Sequence, residues 1–252
     1  MKFCLKSRQT GEYLEKADEI KVYFRDRKSL TDLILKYPEK TFILVHHMDG
    51  EELNWEDIRK WNLLTKGNFI LCSYNPTDII KAIEMDIQTY FGLSVNDYET
   101  LDTLAKMGVK YVRVGGSLFF DMEKVSKKGM KIRVVPNVAF FDGLPREDGV
   151  AGTWIRPEDL ELLYGKYVDA VEFEFCNLTQ EQTLFRIYAE NKNWPGDLGL
   201  LVQNLNYVGK NRLIVDLSKR LRCRQVCKSG GACNLCYTAL EVSNMLVNYN
   251  QD

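Results

Sequence analysis

Residues 95–115, VNDYETLDTLAKMGVKYVRVG, hold one helix-then-strand unit with both of its boundaries marked. Asn96 or Asp97 can offer a side-chain oxygen to the free backbone N–H groups at the start of a helix, and Gly108 supplies the stop. The run that follows, YVRVG (111–115), is short and rich in β-branched and aromatic residues, which reads as a strand.

The same alternation extends in both directions. Strand candidates are KFCLK (2–6), IKVYF (20–24), FILVH (42–46), FILCS (69–73), QTYFGL (88–93), YVRVG, IRVVP (132–136), VEFEF (171–175) and GLLVQN (199–204). Helical patterns lie between them: SLTDLILKY after Ser29 as N-cap, NWEDIRKWNLL after Asn54, PTDIIKAIEM with Pro76 in its first turn, and RPEDLELLYGKY with Pro157 in its first turn. Strands alternating with helices predict βαβ units and a parallel sheet. The strand runs read as continuous, which fits strands buried on both faces. A closed (β/α)8 barrel takes about 250 residues, and the chain has 252. An open doubly wound sheet is the alternative. No Gly-x-Gly-x-x-Gly follows the first strand and there is no phosphate-loop signature. The expected fold is therefore a TIM-like (β/α)8 barrel over 1–217, with a cysteine-rich segment and closing helix at 218–252 in the same domain. Nine strand candidates are one too many, so either 2–6 or 199–204 lies outside the barrel.

That C-terminal segment carries four cysteines, Cys223, Cys227, Cys233 and Cys236, with Gly230 and Gly231 in the central loop. Two short chelate loops joined by a glycine turn can bring four thiolates around one ion, as a tetrahedral site requires. Zinc is the expected occupant, and an iron–sulfur cluster is the alternative because four thiolates suit it as well. The seven cysteines are odd in number and the start, MKFCLKSRQTGEYLEK, has no apolar core segment. Both point to a reducing, cytoplasmic setting rather than to disulfides. Arg220, Arg222, Arg224 and Lys228 surround the first two cysteines. They are either a solvated face or a contact for nucleic-acid phosphates. The net charge of −1 means that only such a local patch would attract a polyanion. No apolar run approaches the roughly 18 residues of a membrane span.

In a barrel the active face is the set of strand C-terminal ends. The residues placed there include His46 and His47, Cys72, Tyr74 and Asn75, Arg113, Asn137, Glu172 and Glu174. Neighbours in a strand point to opposite faces, so one of the two histidines would face the mouth as a general base or ligand. Glu172 and Glu174 share a side. If that side is the interior, they would converge, raise the pKa of one and form an acid/base pair or a cation site. If it faces the helices, Lys or Arg would pair with them. The catalytic set expected is Glu172, Glu174, His46 and Asn137. Gly115, Gly116 and Ser117 would offer backbone N–H groups to a phosphate, unless the glycines only make a tight turn. Trp55, Trp61, Trp154 and Trp194 read as packing residues.

The stretch SVNDYETLDTLAKMGVKYVRVGGSLFFDMEKV (94–125), then KIRVVPNVAFF (131–141) and IRPEDLELLYGKYVDAVEFEF (155–175), resembles the middle of the collagenase-like peptidase family. The resemblance implies a barrel. It also implies the activity of that family's oxygen-independent hydroxylases, which modify RNA bases or quinone precursors around an iron–sulfur cluster. It carries over only Glu172 or Glu174. The family's cysteines lie before and around the strand written here IRVVP, whereas this chain has none between 73 and 175. Base-exchange barrels acting on transfer RNA, which carry a C-terminal zinc site, are a second similarity at the level of fold. The functional expectation is a metal-containing barrel enzyme that modifies a nucleic-acid base or related substrate, with RNA as partner. The alternative is a non-catalytic, zinc-stabilised barrel that binds nucleic acid or serves an assembly.

Overall fold

The computed structural model describes residues 1–47, 51–115, 118, 121–137, 155, 157, 160 and 165–190, and the backbone of 140–141 and 144–145. Eight parallel strands close into a barrel. They are β1 (Lys2–Lys6), β2 (Glu19–Tyr23), β3 (Thr41–His46), β4 (Phe69–Ser73), β5 (Gln88–Val95), β6 (Tyr111–Val114), β7 (Lys131–Val134) and β8 (Val168–Glu172). Each pairs with the next in chain order, and β8 closes on β1, with Cys4 opposite Glu172 on one side and Glu19 on the other. The first candidate strand is thus a barrel strand, and closure is complete without 199–204, which lies outside the described residues.

Helices follow the strands: α1 (Gly11–Lys16), α2 (Leu30–Lys36) after a 3-10 turn, α3 (Trp55–Leu64), α4 (Pro76–Glu84), α5 (Tyr98–Met107), α6 (Met122–Ser126) and α7 (Leu178–Ala189). A two-residue antiparallel ladder joins 140–141 to 144–145 beyond β7. Local chemistry accounts for the helix starts. Asn54, Asn75 and Asp97 each accept a backbone N–H of the first turn through a side-chain oxygen, and Asn177 forms a reciprocal capping box with Gln180. Ser29 departs from expectation: it is helical and its hydroxyl donates to the Asp26 carbonyl, so it closes the preceding 3-10 turn rather than capping α2.

Alternate strand residues divide between two layers. Leu5, Ile20, Val22, Phe42, Leu44, Phe69, Leu71, Val112, Ile132 and Val171 face the helices and make the main apolar core. Removing each such side chain from water stabilises the fold by about 1.5–3 kcal/mol. The inward set is different. Cys4, Ile43, Val45, Ile70, Cys72, Tyr90 and Tyr111 pack together inside the barrel, and buried charged residues complete the lining. The strands are buried on both faces as expected, but β2, β6, β7 and β8 do not read as continuous apolar runs. In EIKVY, YVRV and KIRV polar or aromatic residues alternate with aliphatic ones, and VDAVE carries two carboxylates.

The turn from α5 into β6 depends on backbone freedom at Gly108, which has φ of +91° and donates to the Ala105 carbonyl. A Cβ there would sit 3.8 Å from Ile83 Cγ2, an ordinary contact. Space is therefore not the constraint, and the backbone conformation is. Gly108→Ala is expected to lower stability by about 1–2 kcal/mol with the same urea m-value, measured by equilibrium unfolding. No loss would mean that the helix stop is made elsewhere.

Candidate functional site

Inside the barrel, three cationic and three carboxylate side chains form one network. Arg133 from β7 donates through Nε to Glu172 of β8 and through Nη2 to Glu19 of β2. Lys21 of β2 bonds to Glu172 and reaches Glu174 Oε1 at 2.7 Å. Arg113 of β6 lies 3.1 Å from Glu174 Oε1 and 3.5 Å from Glu172 Oε2 through Nη2, and its Nε donates to the Tyr90 hydroxyl at 3.1 Å. The guanidinium of Arg133 also lies over the Tyr90 and Tyr111 rings, 5.2 and 5.7 Å from their centroids. Arg133 is completely buried, and Glu19, Lys21 and Glu172 nearly so. Desolvating a charge is costly unless it is paired, so these groups offset one another's charge, although Arg133 Nη1 is buried without a hydrogen-bond partner.

Glu172 and Glu174 do converge in the interior, but the outcome for their protons is the reverse of the expectation. Burial pushes both carboxyls up. The adjacent charges of Lys21, Arg133 and Arg113 outweigh it for Glu172 and hold it well below the usual carboxylate range; Lys21 and Arg113 outweigh it for Glu174 and lower it. A pair with a raised pKa needs like charges without compensation. Here cations from β2, β6 and β7 intervene, so both groups are acceptors and electrostatic stabilisers, poorly suited to donating a proton. On Lys21, burial acts to lower the pKa, but Glu172 and Glu174 outweigh it and drive the ammonium well above its ordinary value.

The other expected residues are not brought to one place. His46 is buried on the helix-facing side of β3, with Nδ1 2.8 Å from Asp78 Oδ2 and Nε2 2.9 Å from the Glu51 carbonyl. Its even position in the strand, shared with Phe42 and Leu44, turns it away from the interior, so it ties β3 to α4 and does not reach the glutamates. Asn137 is fully buried, and both ends of its amide are used. Nδ2 donates to the Glu174 carbonyl at 2.7 Å and Oδ1 accepts from the Glu174 N–H at 3.2 Å. It therefore positions Glu174. Asn75 caps α4. A Cβ on Gly115 would come within 2.6 Å of Asn96 Oδ1, so this glycine is explained by the close approach of the β5 end. Gly116, Ser117, the four clustered cysteines, and Arg220, Arg222, Arg224 and Lys228 lie outside the described residues. Among the described residues no group of three or more His, Cys, Asp and Glu side chains is arranged to hold a metal, and no helix is long and apolar enough to cross a membrane.

The histidine at the mouth is His47. Its exposed ring stacks on Tyr74, centroids 4.7 Å apart at 20°, and lies parallel to Tyr23 at 6.3 Å and 2°. Tyr23 ends β2, His47 and Tyr74 follow β3 and β4, and the three form an aromatic arc. Tyr74 in turn lies over Gly92, where a Cβ would meet its ring at 2.7 Å. The arc is electrically joined to the ion network. Burial raises both phenols, Lys21 and then Glu174 act on Tyr23, and Arg113 and Glu174 act on Tyr74. The interior thiols are inert by comparison: burial drives Cys4 well up and Cys72 to about 12. His47, Tyr74 and Arg113 were placed at the strand ends but not in the expected catalytic set, and Tyr23, Lys21 and Arg133 were missed altogether. The signal for the cations was a charged residue sharing the inward phase of its strand: Lys21 with Glu19 in EIKVY, Arg113 with Tyr111 in YVRV and Arg133 with Lys131 in KIRV.

No protein-family model matches this chain, and no curated protein matches it. Among solved structures it is similar to a glycerol uptake operon antiterminator-related protein from Thermotoga maritima, with 18% identity over 69% of this chain and 95% of that one and a TM-score of 0.42. It is also similar to a cube-shaped, highly porous protein cage designed by fusing symmetric oligomeric domains, with 11% identity over 99% of this chain and 82% of that one and a TM-score of 0.45. The chemistry of the site rests on this chain's own side chains.

Glu172→Gln leaves Lys21 and Arg133 short of a buried counter-charge and is expected to cost about 3–5 kcal/mol at neutral pH. The pH dependence follows from the depressed carboxyl. Its stabilisation is complete above the ordinary value of 4.5 and is lost as the pH falls through the lower folded-state value. The gap between wild type and Glu172→Gln should therefore narrow on acidification, as read by urea unfolding at neutral and acidic pH. A constant gap would show that Glu172 is not an ionised partner.

Proposed function

We propose that the mouth of this barrel binds a planar ring with a hydrogen-bonding edge, in the class of a nucleobase or related aromatic, and that the protein acts in the modification of such a base. The arc of Tyr23, His47 and Tyr74 beside the Arg113–Glu174 pair carries this reading. Aromatic side chains stack on the face of any base, worth about 1–3 kcal/mol each. Donor and acceptor groups next to them read its edge. Glu174, kept as a carboxylate by Lys21 and Arg113, would accept from a ring N–H or an exocyclic amine and would stabilise positive charge developing on the ring. The resemblance of 94–175 to a family with base-modifying members points the same way.

In this reading Cys223, Cys227, Cys233 and Cys236 hold zinc, or alternatively an iron–sulfur cluster, and Arg220, Arg222, Arg224 and Lys228 contact the phosphates when the base belongs to an RNA. A second reading is favoured by one observation: the interior is filled by mutually paired charges. A barrel so packed could bind a ring at its rim without transforming it.

Titration of the four ribonucleosides and of short single-stranded RNA against the full chain tests the proposal. His47→Ala and Tyr74→Ala are expected to weaken nucleoside binding roughly 5- to 150-fold, and absence of nucleoside binding by the wild type would remove the reading. Neutralising Arg220, Arg222 and Arg224 together should weaken RNA alone and flatten its salt dependence. Metal content and visible absorption of protein purified without oxygen separate the two cofactors: one zinc per chain without colour, or iron with sulfide and a brown sample.

A further inference from the structure

The ion network inside the barrel does not close on itself. Glu19 and Glu172 each face a cation with both carboxylate oxygens: Glu19 meets Lys2 and Arg133, and Glu172 meets Arg133 on Oε1 and Lys21 and Arg113 on Oε2. Glu174 differs. Lys21 at 2.7 Å and Arg113 at 3.1 Å both approach the same oxygen, Oε1. Among the described residues, Oε2 of Glu174 has no partner. Arg113 is open in a matching way. Its Nε donates to the Tyr90 hydroxyl and its Nη2 to Glu172 and Glu174, while Nη1 has no partner among the described residues. Arg133 Nη1 is also unpartnered, but it is sealed from solvent, and Arg113 Nη1 and Glu174 Oε2 are not.

Both groups belong to the mouth end of the barrel. Glu174 stands just beyond the end of β8, and Arg113 is the penultimate residue of β6. Asn137 clamps the Glu174 backbone, as described, which holds the carboxylate in place. The charges of both groups act on the Tyr74 phenol, and that of Glu174 acts on Tyr23 as well, so the pair lies within electrostatic reach of the arc.

A free donor on one side chain and a free acceptor on another, in groups 3.1 Å apart, make a pair of opposite hydrogen-bonding sense. A ligand that displaces water from them must return both hydrogen bonds, because a desolvated charged group left unsatisfied is costly. Such a ligand carries an acceptor and a donor side by side on a rigid edge. Lactams and amidines have this edge, a carbonyl or ring nitrogen next to an N–H or amine, and the Watson–Crick edge of every nucleobase contains one. A quinone ring offers acceptors only, and a phenol a single oxygen. We infer that Arg113 Nη1 and Glu174 Oε2 form a donor–acceptor pair that reads a lactam or amidine edge, so the mouth takes a nucleobase-type heterocycle and rejects quinone and phenolic rings. This rests on the ring-binding reading above: the arc takes the face of the ring and the pair takes its edge.

The test measures the affinity of the full chain for the four ribonucleosides and for flat analogues that lack one edge atom. Purine riboside, N3-methyluridine, N1-methylguanosine and pyrimidin-2-one riboside remove a donor from adenosine, uridine, guanosine and cytidine in turn. Each should bind roughly 5- to 150-fold more weakly than a parent that binds. 1-Deaza- and 7-deazaadenosine each remove one ring acceptor, and one of the two should show the same loss against adenosine. In Glu174→Ala, with folding checked by Tm, parent and donor-deleted analogue should bind alike, because the acceptor that told them apart is gone. If that variant does not fold, the wild-type comparison decides. Equal binding of parents and analogues by the wild type refutes the pair and leaves the arc standing. A loss with donor-deleted analogues but with neither deaza analogue removes Arg113 from the assignment, and a difference that persists in folded Glu174→Ala removes Glu174. If the wild type binds no nucleoside, both the ring-binding reading and the inference fail.

Discussion

The guanidinium of Arg133, buried inside the barrel and shared between Glu19 and Glu172, is the interaction around which the rest is arranged. It reaches from β7 to β2 and β8, and so spans the seam where the last strand closes on the first. A buried cation without partners would be intolerable, so its presence demands the carboxylates, and their presence demands Lys21 and Arg113. Three positive and three negative side chains result, each held by at least one other. Replacing such a network with apolar residues is often no loss in stability. What the charges contribute that apolar residues could not is an oriented field at the centre of the barrel.

That field decides what the mouth can do. With cations from three strands around them, Glu172 and Glu174 stay ionised, so proton donation is not available from this pair. Hydrogen-bond acceptance and stabilisation of positive charge are. The thiols of Cys4 and Cys72 share the interior but are protonated, because burial dominates their surroundings. At the rim, outward of this network, the His47 ring lies against the rings of Tyr23 and Tyr74. Asn137 belongs to this rim as the clamp on Glu174.

Two local effects place this rim. Helix caps at Asn75 and Asn177 fix where the segments after β4 and β8 turn back over the barrel, and they free Tyr74 and Glu174 from helical geometry. Close approach does the rest: Gly92 makes room for Tyr74, and Gly115 makes room for Asn96. Each is a steric permission, which fits the general rule that functional side chains sit on loops aimed by a rigid scaffold.

The barrel itself was legible in the sequence. Strand runs at regular spacing, helices with visible caps and a length near 250 residues are local properties, and each element forms for reasons contained within its own ten or so residues. Seven of the eight barrel strands are recovered within a residue or two at their starts. The eighth was read as VEFEF and runs from Val168 to Glu172, so Glu174 lies beyond it. The site was legible only in part. Convergence of Glu172 and Glu174 follows from the period of two, but their protonation depends on Lys21, Arg113 and Arg133, which lie between 39 and 153 residues away in the chain. Which histidine faces the mouth was a question of strand phase, and the burial of His46 against Asp78 settled it. Sequence alone therefore determined the order and kind of the elements, because hydrogen bonding and capping act locally. Tertiary structure decided which charges meet, because electrostatic energy depends on distance and desolvation across strands that only barrel closure brings together.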